Sequence, residues 1–531
     1  MLNLLLFSCA RVGAPNGGTR DSLAPKFLGS NIDTTRLNVS RTVKELRLDF
    51  DEYVMLKDFN KNFNVSPPIK KIKKVIPSNL ANKYVLIQWE DTLQANTTYN
   101  FNFGNAIVDN NESNPLPYFN FAFSTGDKID DLFVSGTVKD AMTLIKENQT
   151  AKDNKMVVGL YKSGENLDYK QKPDYITKVD EENYFELNFL PKGEFVIIAF
   201  DDENQNSVYD AGKEKVSFLK EKITLDSTSA RGLKLKLYPS KKVVKYKESK
   251  AINGGLLMTF EGNPETVEVK SLSEELKDFK VTHAKRSDSV NIWFDAEKSN
   301  LGGNISKQVK LSYFTPTISD TISVSFKAVK DEFKLSNEAG NLIAPENNFV
   351  INTSLPIENL NTSSWKLESD SIAQDFTAKV SEKNPFKILV NSSFKPTKKY
   401  VLTIPKETVS SYYSSNDKSF QFQFEIDKPE NYGSFTAVIK NKPTAKFWVE
   451  LTNEKGEILY SQFTNASEVS FKNLKPATYI ARIRVDNNGN GFWDEADFAQ
   501  NIAAEDVYIF EKEINVRPLW EIKEDWELTN H

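Results

Sequence analysis

Apolar and polar residues alternate with a period of two along most of the chain, in short runs separated by clusters of Asn, Asp, Gly and Pro. Such alternation is typical of β-strands with one buried face, whereas a helix needs apolar residues at i, i+3, i+4 and i+7, a pattern that no long segment shows. The alternating runs include residues 46–50, 99–103, 119–123, 134–138, 233–237, 322–326 and 420–426. The pattern predicts an all-β protein.

Short strands with frequent turn signals predict a tandem array of β-sandwiches, because the apolar face of one sheet must be covered by a second sheet. We expect boundaries where a closing strand meets a charged or Pro-containing link. The predicted segments are a signal-peptide remnant (1–8), a flexible tether (9–24), module one (25–127), module two (130–240), module three (241–335), module four (336–428) and module five (430–531). The short links predict modules stacked as a rod.

An internal repeat relates modules two and five. Residues 189–195 (FLPKGEF) lead to Asp202, and residues 474–479 (LKPATY) lead to Asp486. In both copies the last aromatic residue stands seven positions before the aspartate. The repeat predicts that these two modules share one fold, although two others separate them in the chain.

Composition limits the possible functions. The 68 Lys and Arg residues against 73 Asp and Glu leave a net charge of −5, so no basic surplus favours nucleic acid. No glycine-rich phosphate loop joins a strand to a helix, which leaves nucleotide binding without support. The only histidines are His283 and His531 and the only cysteine is Cys9, so hydrolase triads, disulfides and zinc sites lack residues.

Cys9 stands where a bacterial lipoprotein would be acylated. Leu6 at −3, Ser8 at −1 and Cys9 at +1 follow an apolar run and fit a lipobox, in which the peptide before the cysteine is removed. The run is short and lacks a positive n-region, so we infer that the natural start lies further upstream. No stretch approaches 18 apolar residues, and acyl chains on Cys9 would be the only anchor. The alternative is an apolar terminus with an incidental thiol.

Module one resembles the bacterial Ig-like domain of the S-layer type. The resemblance rests on Pro25, on LRLDFDEYV at residues 46–54, on LQANTTY at 93–99 and on the closing FSTG at 123–126. A fainter copy lies within residues 350–428, with FKPTKKY at 394–400 and FQFQFEI at 420–426. The resemblance implies an Ig-like sandwich in both regions.

Modules two and five resemble transthyretin-like or carboxypeptidase-regulatory-like β-sandwiches through their shared Leu-Pro-x-Gly-x-Tyr-type turn. Together with the opening CARVGAPNGGTRD at residues 9–21, this organisation resembles the Ig-like-domain outer-membrane lipoproteins of Bacteroidota. The resemblance implies a protein anchored by lipid in the outer membrane, on its periplasmic or cell-surface face.

Seven Asp-Ser or Asp-Thr tripeptides resemble the O-glycosylation sequon of Bacteroidota envelope proteins, where average composition predicts about two. The candidate glycosylated residues are Ser22, Thr34, Thr92, Ser227, Ser289, Thr321 and Ser371. The alternative is that these pairs are ordinary turn residues.

Two Asx-rich segments have the spacing of a calcium loop. Ca²⁺ needs six to eight oxygen ligands, and a loop similar to those of EF-hands and dockerins supplies them at positions 1, 3, 5, 7, 9 and 12, with glycine at 6. The candidate ligands in module five are Asp486, Asn488, Asn490, the carbonyl of Phe492, Asp494 and Asp497. The candidate ligands in module two are Asp202, Asn204, Asn206, Asp210 and Glu214. A bound Ca²⁺ would be structural, and the alternative is a hairpin tip closed by hydrogen bonds alone.

These observations favour a non-enzymatic, lipid-anchored scaffold that binds a protein partner in the envelope, as an accessory subunit of an outer-membrane complex. The alternative is a surface glycan-binding or adhesive lipoprotein, which would need exposed aromatic platforms. An enzyme within residues 241–428 is a third hypothesis. The C-terminal Trp520 and Trp526 are expected either to cover the edge of the last sandwich or to anchor a partner.

Overall fold

The protein is an all-β array of sandwich modules, as the alternation predicts. Its computed structural model describes residues 21–144, 155–164, 168–329, 332–338 and 340–528, so Cys9 lies outside the described residues. Within these ranges one short helix, α1 (Phe59–Asn62), and two 3₁₀ turns, Pro429–Asn431 and Phe498–Gln500, accompany the strands. The strands form five groups of packed sheets along the chain.

Module one packs a five-stranded sheet against a three-stranded sheet. Its strands are β1 (Phe27–Ser30), β2 (Glu45–Leu56), β3 (Asn64–Ser66), β4 (Ile72–Ile76), β5 (Asn82–Trp89), β6 (Thr98–Gly104), β7 (Ile107–Asp109) and β8 (Phe119–Ser124). The larger sheet has the order β1-β2-β5-β4 with β7 beside β2, and the smaller one has the order β3-β6-β8. Tyr99, Phe101 and Phe103 of β6 point into the core, so Asn100 and Asn102 lie on the outer face.

Module two has a similar two-sheet organisation. Its strands are β9 (Leu132–Asp140), β10 (Met156–Lys162), β11 (Tyr175–Lys178), β12 (Tyr184–Leu190), β13 (Gly193–Asp201), β14 (Val216–Phe218), β15 (Ile223–Leu225) and β16 (Ala230–Leu237). One sheet has the order β12-β9-β16, with β16 parallel to β9. The other has the order β11-β10-β13-β14, with β15 beside β13.

Modules three and four continue the array. Module three contains β17 (Lys245–Ile252), β18 (Gly255–Glu261), β19 (Glu268–Ser271), β20 (Lys280–His283), β21 (Ser289–Trp293), β22 (Lys307–Phe314) and β23 (Ser319–Phe326). Its sheets have the orders β17-β18-β21-β20 and β19-β22-β23. His283 therefore lies on an edge strand. Trp293 of module three packs into the core of module four beside Leu355. This contact joins modules three and four.

Module four contains more strands than each of the other modules in the described residues, and many of them are shorter. Its strands are β24 (Leu335–Asn337), β25 (Leu342–Ile343), β26 (Phe349–Thr353), β27 (Asn359–Leu360), β28 (Lys366–Ser369), β29 (Ile372–Ala373), β30 (Phe376–Ser381), β31 (Asn384–Ser392), β32 (Lys399–Ile404), β33 (Val409–Ser410) and β34 (Phe420–Ile426). Two sheets, β24-β26-β31-β30 and β25-β34-β32-β28-β29, enclose the core, and β27 pairs with β33.

Module five repeats the strand order of module two. Its strands are β35 (Gly433–Lys440), β36 (Phe447–Thr452), β37 (Ile458–Thr464), β38 (Glu468–Leu474), β39 (Ala477–Val485), β40 (Val507–Ile509), β41 (Ile514–Val516) and β42 (Glu521–Glu527). The orders β38-β35-β42 and β37-β36-β39-β40, with β41 beside β39, match module two strand for strand. The prediction of a shared fold is confirmed. Strand β42 covers the edge of β35 and buries Trp526, whereas Trp520 is half exposed.

Module two buries both faces of its larger sheet. In β13 the run Phe195–Phe200 is apolar throughout instead of alternating, because Ile197 faces the sandwich core while Ile198 and Phe200 face outward. The outward cluster also contains Val157, Tyr161, Ile176, Val216 and Phe218. A sheet with two apolar faces needs a second covering layer.

Phe498 of module five supplies this covering layer. Its ring centroid lies 4.4 Å from that of Tyr169, 5.1 Å from that of Phe218 and 5.9 Å from that of Tyr209. Phe498 is 6% exposed and belongs to the same apolar cluster as the outer face of module two. The aromatic contacts fix module five on module two.

Backbone and ionic contacts reinforce this junction. The Ala496 N–H donates to the Pro239 carbonyl at 3.1 Å, and the Lys241 N–H donates to the Ala496 carbonyl at 2.8 Å. Arg286 of module three forms an ion pair with Asp494 of module five at 2.6 Å. The expectation of a rod is therefore wrong, because module five folds back onto modules two and three.

Replacing Phe498 with alanine should loosen this junction. Truncating a buried phenylalanine costs about 3–5 kcal/mol, and the loss falls here on the contact between two modules. We expect amide hydrogen exchange in peptides that contain Ala496 and Lys241 to accelerate at least ~100-fold, since about 1.4 kcal/mol corresponds to a factor of ten. Hydrogen exchange with mass spectrometry measures the change.

The matched control is Phe463→Ala, which removes a half-exposed phenylalanine from the same module. It should leave the exchange rates at Ala496 and Lys241 unchanged. Equal rates in wild type and Phe498→Ala would show that the aromatic contact does not hold the modules together.

Candidate metal loops

Loop one, residues 202–214 between β13 and β14, is closed by its own acidic and amide side chains. The Asp202 carboxylate accepts the N–H groups of Asn206 and Ser207, each at 3.0 Å. Asn204 Nδ2 donates to Asp210 Oδ2 at 2.6 Å. Ser207 has φ 62°, so it adopts the left-handed turn for which the calcium-loop pattern uses glycine.

Glu214 lies behind loop one and ties its ends together. Its Oε1 accepts the Glu203 N–H at 3.1 Å, and its Oε2 accepts the Asp210 N–H at 2.8 Å. The side chain is almost fully buried, and this burial raises the pKa of Glu214 to about 7 although the two N–H donors lower it. The structure thus brings together all the residues predicted for this loop.

Loop two, residues 486–505 between β39 and β40, repeats this geometry. The Asp486 carboxylate accepts the N–H groups of Asn490 and Gly491, each at 3.0 Å. Asn488 Nδ2 and Asn490 Nδ2 both donate to Asp494 Oδ2, at 2.5 and 2.7 Å. Two loops from distant parts of the chain are therefore closed by corresponding contacts.

Glu505, and not Asp497, closes loop two from behind. Glu505 Oε1 accepts the Asn488 N–H at 3.1 Å, and its Oε2 accepts the Asp494 N–H at 3.0 Å. Asp497 instead caps the following 3₁₀ turn by accepting the Gln500 N–H at 3.2 Å. Among the described residues, no side-chain hydrogen bond joins Asp497 to the turn of residues 486–494, so the residue predicted at position 12 is not brought to the other candidate ligands.

An insertion explains the difference between the two copies. Glu214 lies 12 positions after Asp202, whereas Glu505 lies 19 positions after Asp486. The additional residues in loop two contain the segment that docks on module two. The pattern Glu-x-Val stands at the start of the next strand in both copies, as Glu214-Lys-Val and Glu505-Asp-Val, and aligning the repeats at their ends would have identified Glu505.

The two loops differ in their charge compensation. In loop two, Arg286 Nη1 contacts Asp494 Oδ1 at 2.6 Å and its guanidinium lies 4.7 Å from the Phe492 ring. Burial raises the pKa of Asp494, but hydrogen bonds from Asn488, Arg286 and Asn490 outweigh it and hold the pKa below its usual range. In loop one, Asp202, Asp210 and Glu214 form no ion pair with any described Lys or Arg.

The donor chemistry of both loops fits Ca²⁺, which binds carboxylate, amide and carbonyl oxygens. In the structure the Asp202 and Asp486 oxygens accept backbone N–H groups of their own loops. Among the described residues, no three or more His, Cys, Asp or Glu side chains are grouped to hold a metal ion. The geometry is that of an Asx turn closed by hydrogen bonds, and calcium in these loops stays a prediction.

The predicted glycosylation residues all lie at accessible positions. Ser289 is half-buried, and its hydroxyl donates to Asp288 Oδ1 at 2.7 Å. The exposed ones are Ser22, Thr34, Thr92, Ser227, Thr321 and Ser371. Accessibility permits modification of these residues, and glycosylation stays a prediction.

Module one matches a known protein family. Residues 21–125 match the family described as a bacterial Ig-like domain, which agrees with the resemblance found in the sequence. Such a domain is compatible with a non-enzymatic surface or binding role.

No curated protein matches the chain. Among the described residues, no helix is long and apolar enough to cross a membrane.

Several solved structures are similar to the chain at low identity. Domains 1–6 of the surface layer protein SbsC share 12% identity over 93% of this chain and 67% of that chain, with a TM-score of 0.16. The Bacteroides ovatus protein SGBP-B, in complex with a mixed-linkage heptasaccharide, shares 9% identity over 74% of this chain and 97% of that chain, with a TM-score of 0.20. At these TM-scores the likenesses carry no conclusion about function.

Glu214 should make stability depend on pH. Its pKa is raised in the folded state, so its contribution favours folding below its unfolded pKa of about 4.3 and is lost as pH rises through about 7. The loss amounts to at most about 4 kcal/mol, at about 1.4 kcal/mol per pKa unit. In buffers with chelator, Glu214→Gln should gain stability relative to wild type between pH 5 and pH 8, measured by urea unfolding.

Glu203→Gln is the matched control, because Glu203 adjoins the same loop but is exposed. Its stability difference from wild type should stay constant over this pH range. A constant difference for Glu214→Gln as well would show that the buried carboxyl titrates normally.

Proposed function

We propose that the protein is a non-enzymatic, lipid-anchored scaffold of the bacterial envelope that holds a protein partner, as an accessory subunit of an outer-membrane complex. The observation that supports this most is the docking of module five on modules two and three through Phe498 and Arg286. This contact fixes the surfaces of distant modules relative to one another. When the modules are already fixed relative to one another, binding a partner in one orientation costs less conformational entropy.

The proposed anchor is the acylated thiol of Cys9. The predicted tether from Cys9 to residue 24 would span at most roughly 55 Å when fully extended. Acyl chains would hold the modules at the outer membrane, on its periplasmic or cell-surface face, without a spanning segment. The proposal excludes nucleic acid and nucleotide as partners on the ground of charge and motif content.

The proposed docking surface is the open edge of module five. Strand β37 lies at the end of its sheet and exposes Ile458 (46%), Leu459 (49%) and Phe463 (45%). Trp448 stacks against Phe463 with ring centroids 4.4 Å apart, which extends the apolar surface onto β36. An unpaired strand edge offers backbone N–H and C=O groups to a strand of a partner, and apolar side chains add contact area.

Affinity purification of the tagged full-length protein from native membranes tests this function. We expect one abundant envelope protein to co-purify. The double variant Leu459→Lys/Phe463→Lys should recover at most a tenth of it, because charge on this edge opposes contact with an apolar partner surface. Cys9→Ser should release the protein from the membrane fraction.

Leu342→Lys is the matched control, since Leu342 is a half-exposed leucine of module four. It should retain the partner at the wild-type level. Recovery of no envelope protein, or full recovery with the double variant, would contradict the scaffold proposal.

We also propose that Ca²⁺ binds loops one and two as a structural ion. The support is the donor chemistry of the loops and the burial of Asp202, Asp486, Glu214 and Glu505, whose negative charges a divalent cation would compensate. The ion would stabilise the folded state because it binds that state alone. The residues that would hold it in loop two are the loop acids and amides together with Glu505, in place of Asp497.

Removal of divalent ions should therefore lower the melting temperature of the full chain by several degrees, and Ca²⁺ added back in excess should restore it. Calorimetry with and without chelator measures the shift. The double variant Asp202→Asn/Asp486→Asn should show a much smaller shift, whereas Asp497→Asn should respond like wild type. Identical curves with and without chelator would remove calcium from both loops.

A further inference from the structure

A polar cleft of about 1340 Å³ lies between modules one and two. Strands β3, β6 and β8 of module one form one wall, and β11 and β12 of module two form the other. At the base of the cleft the buried Ser66 hydroxyl accepts the Ile176 N–H at 3.2 Å. Thr98 Oγ1 donates to Asp130 Oδ2 at 2.9 Å, which ties the smaller sheet of module one to the start of module two. The walls are thus held by specific contacts.

Three asparagines form a row across the wall of module one. Asn102 of β6 is paired in register with Asn64 of β3 on one side and with Asn120 of β8 on the other. All three line the cleft. Because neighbouring strands lie about 4.8 Å apart, the row extends over about 10 Å. Asn102 Oδ1 accepts the Gly104 N–H and Asn120 Nδ2 donates to the Tyr118 carbonyl, each at 2.9 Å. Asn102 Nδ2, Asn120 Oδ1 and the whole amide of Asn64 therefore remain as donors and acceptors for a ligand.

Asn100 lies two residues before Asn102 on β6 and is buried. The residue is 7% exposed, it lines the cleft, and its Oδ1 has no hydrogen-bond partner among the described residues. Buried polar groups in native proteins are almost always paired, and an orphaned acceptor lowers stability. A hydroxyl donor supplied by a ligand would pair this acceptor.

The charge of the cleft favours a neutral ligand. Four lysines and six carboxylates line it, so it has no positive surplus to attract an anion. Two tyrosines at the cleft are exposed, Tyr118 at 68% and Tyr184 at 39%. Exposed aromatic faces of this kind pack against the apolar faces of sugar rings, while the surrounding polar groups bind hydroxyls.

We propose that this cleft is a binding site for a neutral glycan chain. Asparagine amides for hydroxyl groups, an unpartnered buried acceptor and exposed tyrosine rings suit a polyhydroxylated ligand, and six carboxylates against four lysines disfavour an anionic one. The site lies on modules one and two and is distinct from the open edge of module five. It goes beyond the scaffold role, because it assigns a second ligand class to a different surface.

The test uses isothermal titration of the full-length protein with unbranched neutral hexasaccharides of glucose, mannose, galactose and xylose, and with a hexagalacturonate as a charged probe. We expect at least one neutral hexasaccharide to bind and the charged one not to bind. Asn100→Leu and Tyr118→Asn should each weaken binding at least tenfold. Asparagine suits position 118, because Tyr118 has φ 52° and asparagine tolerates that conformation.

The matched controls are Asn291→Ala, on strand β21 of module three, and Tyr53→Asn, an exposed tyrosine of module one that does not line the cleft. Both should bind like wild type. Asn100→Leu should melt at or above the wild-type temperature, because it removes an unpaired buried acceptor. If it folds poorly, Asn64→Ala replaces it, since the Asn64 side chain makes no hydrogen bond to the described residues.

Failure to bind any of the four neutral probes, binding of the charged probe alone, or wild-type affinity in the cleft variants would each overturn the proposal. The scaffold function is measured separately, by affinity purification of the protein partner. The variant Leu459→Lys/Phe463→Lys should bind glycan normally, and Asn100→Leu should capture the protein partner normally. Either function can therefore fail without affecting the other.

Discussion

The arrangement of the five modules depends on the burial of one apolar sheet face. In a sandwich each sheet buries one face against the other, but the larger sheet of module two is apolar on both faces. Its outer face would expose several large side chains to water if module five did not cover it with Phe498. Because this contact joins the second and fifth modules, the third and fourth lie in a closed loop of chain. Their orientations are constrained at both ends, and the array loses the freedom of a simple string of domains.

A single insertion accounts for both the junction and the altered loop. Modules two and five share every strand position, and their Asx loops close through corresponding hydrogen bonds. The later copy contains seven more residues between its first aspartate and its closing glutamate, and Ala496 and Phe498 lie in that added segment. An exposed loop tip tolerates insertion at low cost, since loop-closure entropy grows slowly with length. The additional residues lie against the apolar surface of the other repeat, so that one copy covers its counterpart.

Local pattern predicts the elements of this protein well and their mutual placement poorly. Alternation of side chains determines which face of β6 is buried, and the repeat of residues 189–195 at 474–479 indicates the shared fold. The continuous apolar run of β13 is the sequence signal for the second buried face, which the rule of one solvent-facing side per strand does not reveal. The spacing of an uninterrupted calcium loop predicts Asp497, but this spacing fails where additional residues separate the closing acid from the turn. The Arg286–Asp494 pair joins residues 208 positions apart and has no local signature. The asparagine row likewise depends on the register of three strands, which only the folded sheets determine.

Two departures from ordinary packing lie beside the same cleft. Glu214 is a buried carboxyl whose pKa is raised by burial, and Asn100 is a buried amide whose Oδ1 has no hydrogen-bond partner among the described residues; each is a local cost to stability. Asp202, the first residue of loop one, also lines the cleft that contains Asn100. Loop one and the cleft therefore share a wall, and a change in the charge of the loop acts directly on the cleft. Glu214 belongs to module two and Asn100 to module one, so the two local costs lie on opposite sides of the junction between these modules. A hydroxyl group bound in the proposed cleft would pair the Asn100 acceptor, and a cation in loop one would compensate the charge of Glu214, so a ligand at either place would offset a cost that the fold alone does not.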